Sequence, residues 1–184
     1  MTEQIATTDL VAGTWTIDAS HSEVGFSVRH LMSKVKGRFT EFSGTITTGS
    51  EDPTDAGVEV TITSSSITTG NEQRDAHLKS ADFFDPTSGG TLSFTSTGIS
   101  GDADGYVISG DLTINGITKP VELAAEFLGV AVDAFGATRL GAEATTSINR
   151  QDFNVTFNIP LDGGKLLIGD KVDITLAVEA VKSA

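Results

Sequence analysis

Three histidines, one basic tract and a few glycine-rich turns are the residues of this chain whose types invite chemistry. His21, His30 and His77 are the candidate metal ligands, but they share no ligand spacing and none has a second His four residues on, so no metal site is expected. Serine hydrolysis needs a nucleophile on a strained turn, and the Gly-x-Ser-x-Gly elbow is absent. Gly163-Gly164-Lys165 is followed by Leu166 and lacks the upstream glycine of a phosphate-cradling loop. Asp102-Ala103-Asp104-Gly105 opens like a calcium loop, yet Val107 stands where that loop needs Gly and Thr113 where it needs a bidentate Glu. A hairpin turn fits it better. Asn154-Val155-Thr156 matches a glycosylation acceptor, a tripeptide common by chance. No catalytic residue and no cofactor follows from these patterns.

Charge is more informative. Arg29, Lys34, Lys36 and Arg38 stand together with no acid between Glu23 and Glu41, on a chain whose net charge is -13. Such a tract is either a solvated hairpin end or a basic rim that meets a lipid headgroup or a membrane surface. With 25 acidic against 12 basic residues, nucleic-acid partners are excluded as a general expectation. No cysteine is present, so disulfides and thiolate metal sites are ruled out. Residues 1–13 carry neither a basic n-region nor an apolar run of signal-peptide length, which points to a flexible tail and a cytoplasmic protein.

The elements that must position any site are mainly strands. Residues 14–184 suit one domain, and 20 glycines with many Thr, Ser and Val residues favour strands and turns. From His21, the residues Val24, Phe26, Val28 and His30 fall on one face, with Glu23, Ser27 and Arg29 on the other. Val35, Gly37 and Phe39 resume the pattern, which slips by one at Phe42, as a β-bulge would cause. Val58, Val60 and Ile62 alternate next. The period then changes over 71–80, where Arg74, His77 and Leu78 share one side of a short helix. Phe83 and Phe84 follow, with turns at Asp85-Pro86 and Gly89-Gly90, and Leu92 and Phe94 open another strand.

Ile108, Leu112 and Ile114 lead to Asn115-Gly116, a strong hairpin signal, after which Val121, Leu123, Ala125 and Phe127 return. Two further strands run over 140–148 and 172–180. The inward series is almost wholly apolar, which leaves open whether it fills a core or lines a cavity. On this series the candidate lining is Val24, Phe26, Val28, His30, Phe39 and Phe42, then Phe83, Phe84 and Phe94, then Ile108, Leu112, Ile114, Leu123 and Phe127. His30, at the end of its face, is a candidate partner for a headgroup. His77 is expected to pin the helix to the barrel, and Arg74-Asp75 to form a structural pair or cap.

Asp18 with His21-Ser22, His30-Leu31, Gly37-Arg38-Phe39 and Phe42-Ser43-Gly44 resemble the opening of the YceI-like family. Asn71, Arg74-Asp75, His77-Leu78, Ala81-Asp82-Phe83-Phe84, Gly110-Asp111-Leu112-Thr113, residues 116–121 and Ile148-Asn149-Arg150 continue the resemblance in order, over residues 14 to 180. The resemblance implies an all-β protein, a single antiparallel, lipocalin-like eight-stranded barrel with one short helix. It also implies non-enzymatic binding, transport or storage of a long apolar lipid, polyisoprenoid or isoprenoid-quinone-like, in the lumen. The alternatives are an enzyme or a metal or haem protein acting on such a lipid, and a ligand-free structural barrel that binds a protein. Transient membrane contact and a homodimer are further expected partners.

Overall fold

The computed structural model describes residues 10–84 and 89–183. Its strands are β1 (Gly13–Ile17), β2 (Glu23–His30), β3 (Ser33–Phe39), β4 (Phe42–Thr48), β5 (Gly57–Thr63), β6 (Ile67–Thr68), β7 (Thr91–Asp102), β8 (Gly105–Ile114), β9 (Ile117–Val132), β10 (Thr138–Asn149) and β11 (Ile168–Lys182). The helix α1 (Glu72–Leu78) lies between β6 and β7. Every pairing is antiparallel, and β11 closes the sheet on itself because its first part pairs with β2 and its last with β1.

The first three positions of the barrel are broken strands. β1 and β2 lie end to end along β11, β3 and β4 lie end to end along them, and β5 and β6 do the same one position further. Counting each broken pair once gives a closed, lipocalin-like barrel of eight strands, in which the short β6 pairs with β3 alone. The slip at Phe42 is such a break, not a β-bulge. At Thr40 the backbone N–H still bonds the Ser66 carbonyl, while the Glu41 carbonyl already accepts from Thr63, so the chain turns a corner there. True bulges occur between Ser96 and Gly98, and where β9 opposes Gly141 and Ala142.

Local chemistry sets the connections. Asn115 and Gly116 both have positive φ, 54° and 73°, and make the two-residue turn between β8 and β9. Ala103-Asp104 turns β7 into β8, with the Asp104 N–H donating to Asp102 Oδ1 at 2.9 Å. Asn71 caps α1 by accepting from the Arg74 N–H. Of the expected turn after Phe84, Asp85-Pro86 lies outside the described residues.

One end of the barrel is plugged. Trp15 is fully buried and donates to Thr48 Oγ1 at 3.0 Å, and it packs with Ile17, Ile46, Val130, Leu140 and Ala180. Leu10 joins this cluster, and the Val11 carbonyl accepts from Thr48 Oγ1 at 2.6 Å. Leu10, inside the segment expected to be a tail, thus adds an apolar side chain to the plug.

Arg139 ties this end together from outside. It bonds Asp133 at 2.7 Å, Asp18 at 2.9 Å and Glu179 at 3.0 Å. The Ser20 hydroxyl, Arg139 and His21 hold the Asp18 carboxyl well below its usual range, and Arg139 with the Ala137 and Phe135 N–H groups lowers that of Asp133. Depressed carboxyls stabilise the fold above their unfolded pKa, near 3.8, and that contribution is lost as pH falls through the folded value. Arg139→Met is expected to start acid unfolding at a higher pH than in the parent. Fluorescence of Trp15, the single tryptophan, followed against pH checks this. Coincident acid transitions would show that the network does not set the acid limit.

Candidate functional site

Below the plug the barrel is hollow. A cavity of about 280 Å³ runs from Ile17 and Ile46 at the plug to Leu78, Phe83 and Phe84 at the opposite, lidded end. A larger space of about 570 Å³ is only an open depression on the outer wall, lined by polar residues such as Glu122, Ser147 and Asp173. Its walls do not enclose anything, so the lumen is the candidate site.

Period two along each strand delivers the lining. β2 supplies Val24, Phe26 and Val28, and β3 and β4 supply Phe39 and Phe42. β7 and β8 add Phe94, Ile108, Leu112 and Ile114, β9 adds Leu123, and Phe83 and Phe84 close the lid. Two expected members are placed elsewhere. Phe127 is inside the barrel but packs on the plug cluster, where the bulge in β9 carries the strand past the cavity. His30 is not among the lining residues; it is half-buried on β2 opposite Ile168, one residue before the hairpin tip.

Glycines explain why the space is empty. Gly37 is the cross-strand partner of Phe26, and a Cβ there would sit 2.4 Å from Phe26 Cζ. A Cβ at Gly110 would lie 2.4 Å from Phe94 Cζ. Both rings therefore lie along the wall over a glycine instead of crossing the lumen. Phe26, Phe39 and Phe84 then form a chain of ring contacts, 5.7 and 6.4 Å between centroids, that leads to the lid.

The lid is anchored by polar groups facing away from the cavity. Asp75 accepts from the Thr68 hydroxyl and from the N–H and hydroxyl of Thr69, while Arg74 Nε donates to Thr69 Oγ1 at 2.7 Å. Burial pushes the Asp75 carboxyl up, but the Thr69 and Thr68 bonds and the Arg74 charge outweigh it and leave it low. His77 bonds Asp82 at 2.8 Å and stands edge-on to Phe83 and Phe157, so it joins α1 to the loop after β10. Asn115 at the β8–β9 tip donates to the carbonyls of Phe83 and Phe153.

Arg150 holds that loop, and its type and position gave no sign of this in the sequence beyond the Ile148-Asn149-Arg150 motif. It is 4% exposed and donates to the carbonyls of Gly169, Val155, Phe157 and Ile168, with Asp170 at 3.7 Å. Burial pushes the guanidinium down, and Asp170 offsets part of this. Its N–H groups are committed to the protein. The other polar members of the wall are equally occupied or outward: Thr146 donates to the Glu122 carbonyl, and Glu143 is exposed.

The four basic residues do not ring the mouth. They form a column on the outer face of the β2–β3 hairpin, where Arg29 stands directly opposite Lys34. Among the described residues no group of three His, Cys, Asp or Glu is placed to hold a metal, and no helix is long and apolar enough to cross a membrane.

The family model for the YceI-like domain matches residues 15–180. Protein YceI of Shigella flexneri is 40% identical over 175 residues, which covers 94% of this chain and 88% of that protein. The crystal structure of the Campylobacter jejuni YCEI protein superposes with a TM-score of 0.71 at 31% identity, covering 85% of this chain and 90% of that one. A polyisoprenoid binding domain from Saccharophagus degradans superposes with a TM-score of 0.68 and covers 94% of this chain and 99% of that one, but at 15% identity this likeness speaks for the fold alone. On the extent of the family match and the identity of these relatives, the chain belongs to the YceI-like family.

Proposed function

We propose that the barrel binds a long apolar lipid, polyisoprenoid or isoprenoid-quinone-like, without covalent attachment and without catalysis, and so stores or carries it. The observation that carries this reading is a cavity with an almost wholly apolar lining, whose polar members are bonded to backbone carbonyls or turned outward. An apolar lining binds by removing hydrocarbon from water, about 0.8 kcal/mol for each buried methylene. Catalysis would need a polar side chain aimed at the ligand, and Arg150 and Thr146 are both turned to backbone carbonyls. The fold shared with a protein described as a polyisoprenoid binding domain supports the choice of lipid. At about 280 Å³ the lumen is near the small end of ligand pockets, so a long chain would displace the Phe83 and Phe84 rings at the lid.

Mass spectrometry of lipid extracted from the purified protein tests the reading. One apolar lipid recovered at near-stoichiometric amount is the expected result. Chemically altered lipid after incubation would replace the carrier with an enzyme, and no bound lipid after exposure to solubilised isoprenoids would leave a structural barrel.

A further inference from the structure

We propose that the tip of the β2–β3 hairpin, together with the loop that follows β10, docks on the surface of an anionic lipid bilayer. The tip is Leu31-Met32, a two-residue turn in which Leu31 takes a positive φ of 55°. That conformation suits Asn or Gly, and the two-residue turn between β8 and β9 places Asn115-Gly116 at positive φ. Here the turn instead exposes leucine at 54% and methionine at 90%. Local stability does not favour that choice, and neither does solvation.

The same end continues the apolar surface. The Leu31 N–H donates to the Leu167 carbonyl at 2.9 Å, and the Leu167 N–H to the Ile159 carbonyl at 3.1 Å. Beside this ladder, Ile159 is 45% exposed and Leu166 is 55% exposed. Apolar residues from two segments thus share one protruding end, larger than a scattered surface side chain.

Charge identifies the occupant. Directly behind the tip stand Arg29 and Lys34, opposite one another, and then Lys36 and Arg38 along the hairpin. Like charges in opposing positions destabilise a sheet, so the Arg29–Lys34 pair is held against local energetics. Among the described residues Lys34 alone of the four has an acid within 4.0 Å, Asp173 at 3.9 Å, and it shares that acid with Lys171 at 3.4 Å. An apolar tip backed by basic residues matches the acyl boundary and headgroup layer of an anionic bilayer.

The plug end is the internal control. It also exposes apolar side chains, Phe135 at 96% and Val132 at 64%. Its connecting segments, however, carry Asp52, Asp55, Asp102, Asp104 and Asp133, which an anionic surface repels. The loop after β10 carries Asp152 and Asp162 against Lys165, so what draws an anionic surface to this end is the basic column of the hairpin, which the plug end lacks. The docking surface extends the reading of the lumen as a lipid site, since it sets the lidded end against the lipid source, but it is tested without it.

Flotation with vesicles of phosphatidylglycerol and phosphatidylcholine, against phosphatidylcholine alone, is the experiment. The parent protein is expected to float with the anionic vesicles at low salt and to be released as salt screens the column. Leu31→Asn should keep or raise the melting temperature, because Asn tolerates the turn, and yet weaken flotation. Met32→Asp should weaken it about tenfold or more. Lys34→Glu with Lys36→Glu should weaken anionic binding further, at about fivefold per charge removed, and Phe135→Ser should leave it unchanged. Equal flotation of Met32→Asp and the parent would overturn the proposal. So would a parent dimer that Met32→Asp dissociates in sedimentation without any vesicle binding, which would make the tip an interface between copies. Lipid extracted from the same preparations keeps the two readings apart: a tip variant that loads solubilised isoprenoid normally tests docking alone, and a parent that floats while holding no lipid contradicts the lumen reading alone.

Discussion

Gly37→Leu is expected to lower lipid affinity by somewhat more than a hundredfold while leaving a folded barrel. The site of a Cβ at Gly37 is already within 2.4 Å of Phe26 Cζ, so a side chain there must push that ring off the wall and into the lumen. The side chain adds about four carbons, which exclude about as many carbons of ligand, and at ~0.8 kcal/mol each this is about 3 kcal/mol of lost binding. The fold should lose about 1 to 3 kcal/mol to crowding, because the Thr68 carbonyl at 3.0 Å has little room to give. Phe26→Ala is the counterpart. In lipid-free protein it is expected to cost on the order of 1 to 2 kcal/mol, below the ~3 to 5 kcal/mol of a filled core, because the ring already borders empty space. Combining the two substitutions should restore part of the binding. Isotherms with a fluorescent isoprenoid and urea unfolding of delipidated protein measure both quantities. Unchanged affinity in Gly37→Leu would mean that the lipid sits elsewhere.

Arg150→Met is expected to destabilise the protein by on the order of 3 to 5 kcal/mol, although the new side chain nearly fills the old volume. The loss comes from the partners. Four carbonyls, those of Val155, Phe157, Ile168 and Gly169, share one guanidinium, and without it those of Val155, Phe157 and Gly169 lose their Arg150 donor inside the lid end, while Ile168 keeps the Asn158 side-chain amide. Arg150→Lys should recover only part, since one ammonium cannot span donors held in a planar fork. Denaturant midpoints of the three proteins give the ranking. A lidded end that unlocks should also release bound lipid faster, because Val155 and Ile168 belong to the cavity wall. Equal midpoints for Met and Arg would show that the loop is held by its other contacts.

Much of this architecture is written in local chemistry. Alternation along β2, β8, β9 and β11 assigned the inward faces, Asn115-Gly116 fixed a hairpin, and Asn71 marked the start of α1, because each depends on near neighbours in the chain. The ordered family motifs supplied closure into a barrel, which alternation alone does not give. What only the tertiary structure decided are matters of distance between remote segments. Period two says which face a residue takes but not whether opposite walls meet, and the lumen is hollow because Phe26 and Phe94 fold over glycines on neighbouring strands. A slip of one residue reads alike for a bulge and a corner, and the partners of Thr40 and Glu41 decide for the corner. Phe127 faces inward as expected, yet its level along the axis places it on the plug. Arg150 looked like any arginine after a strand until the fold brought four carbonyls from the following segment around it, because the meaning of a buried charge lies in its partners.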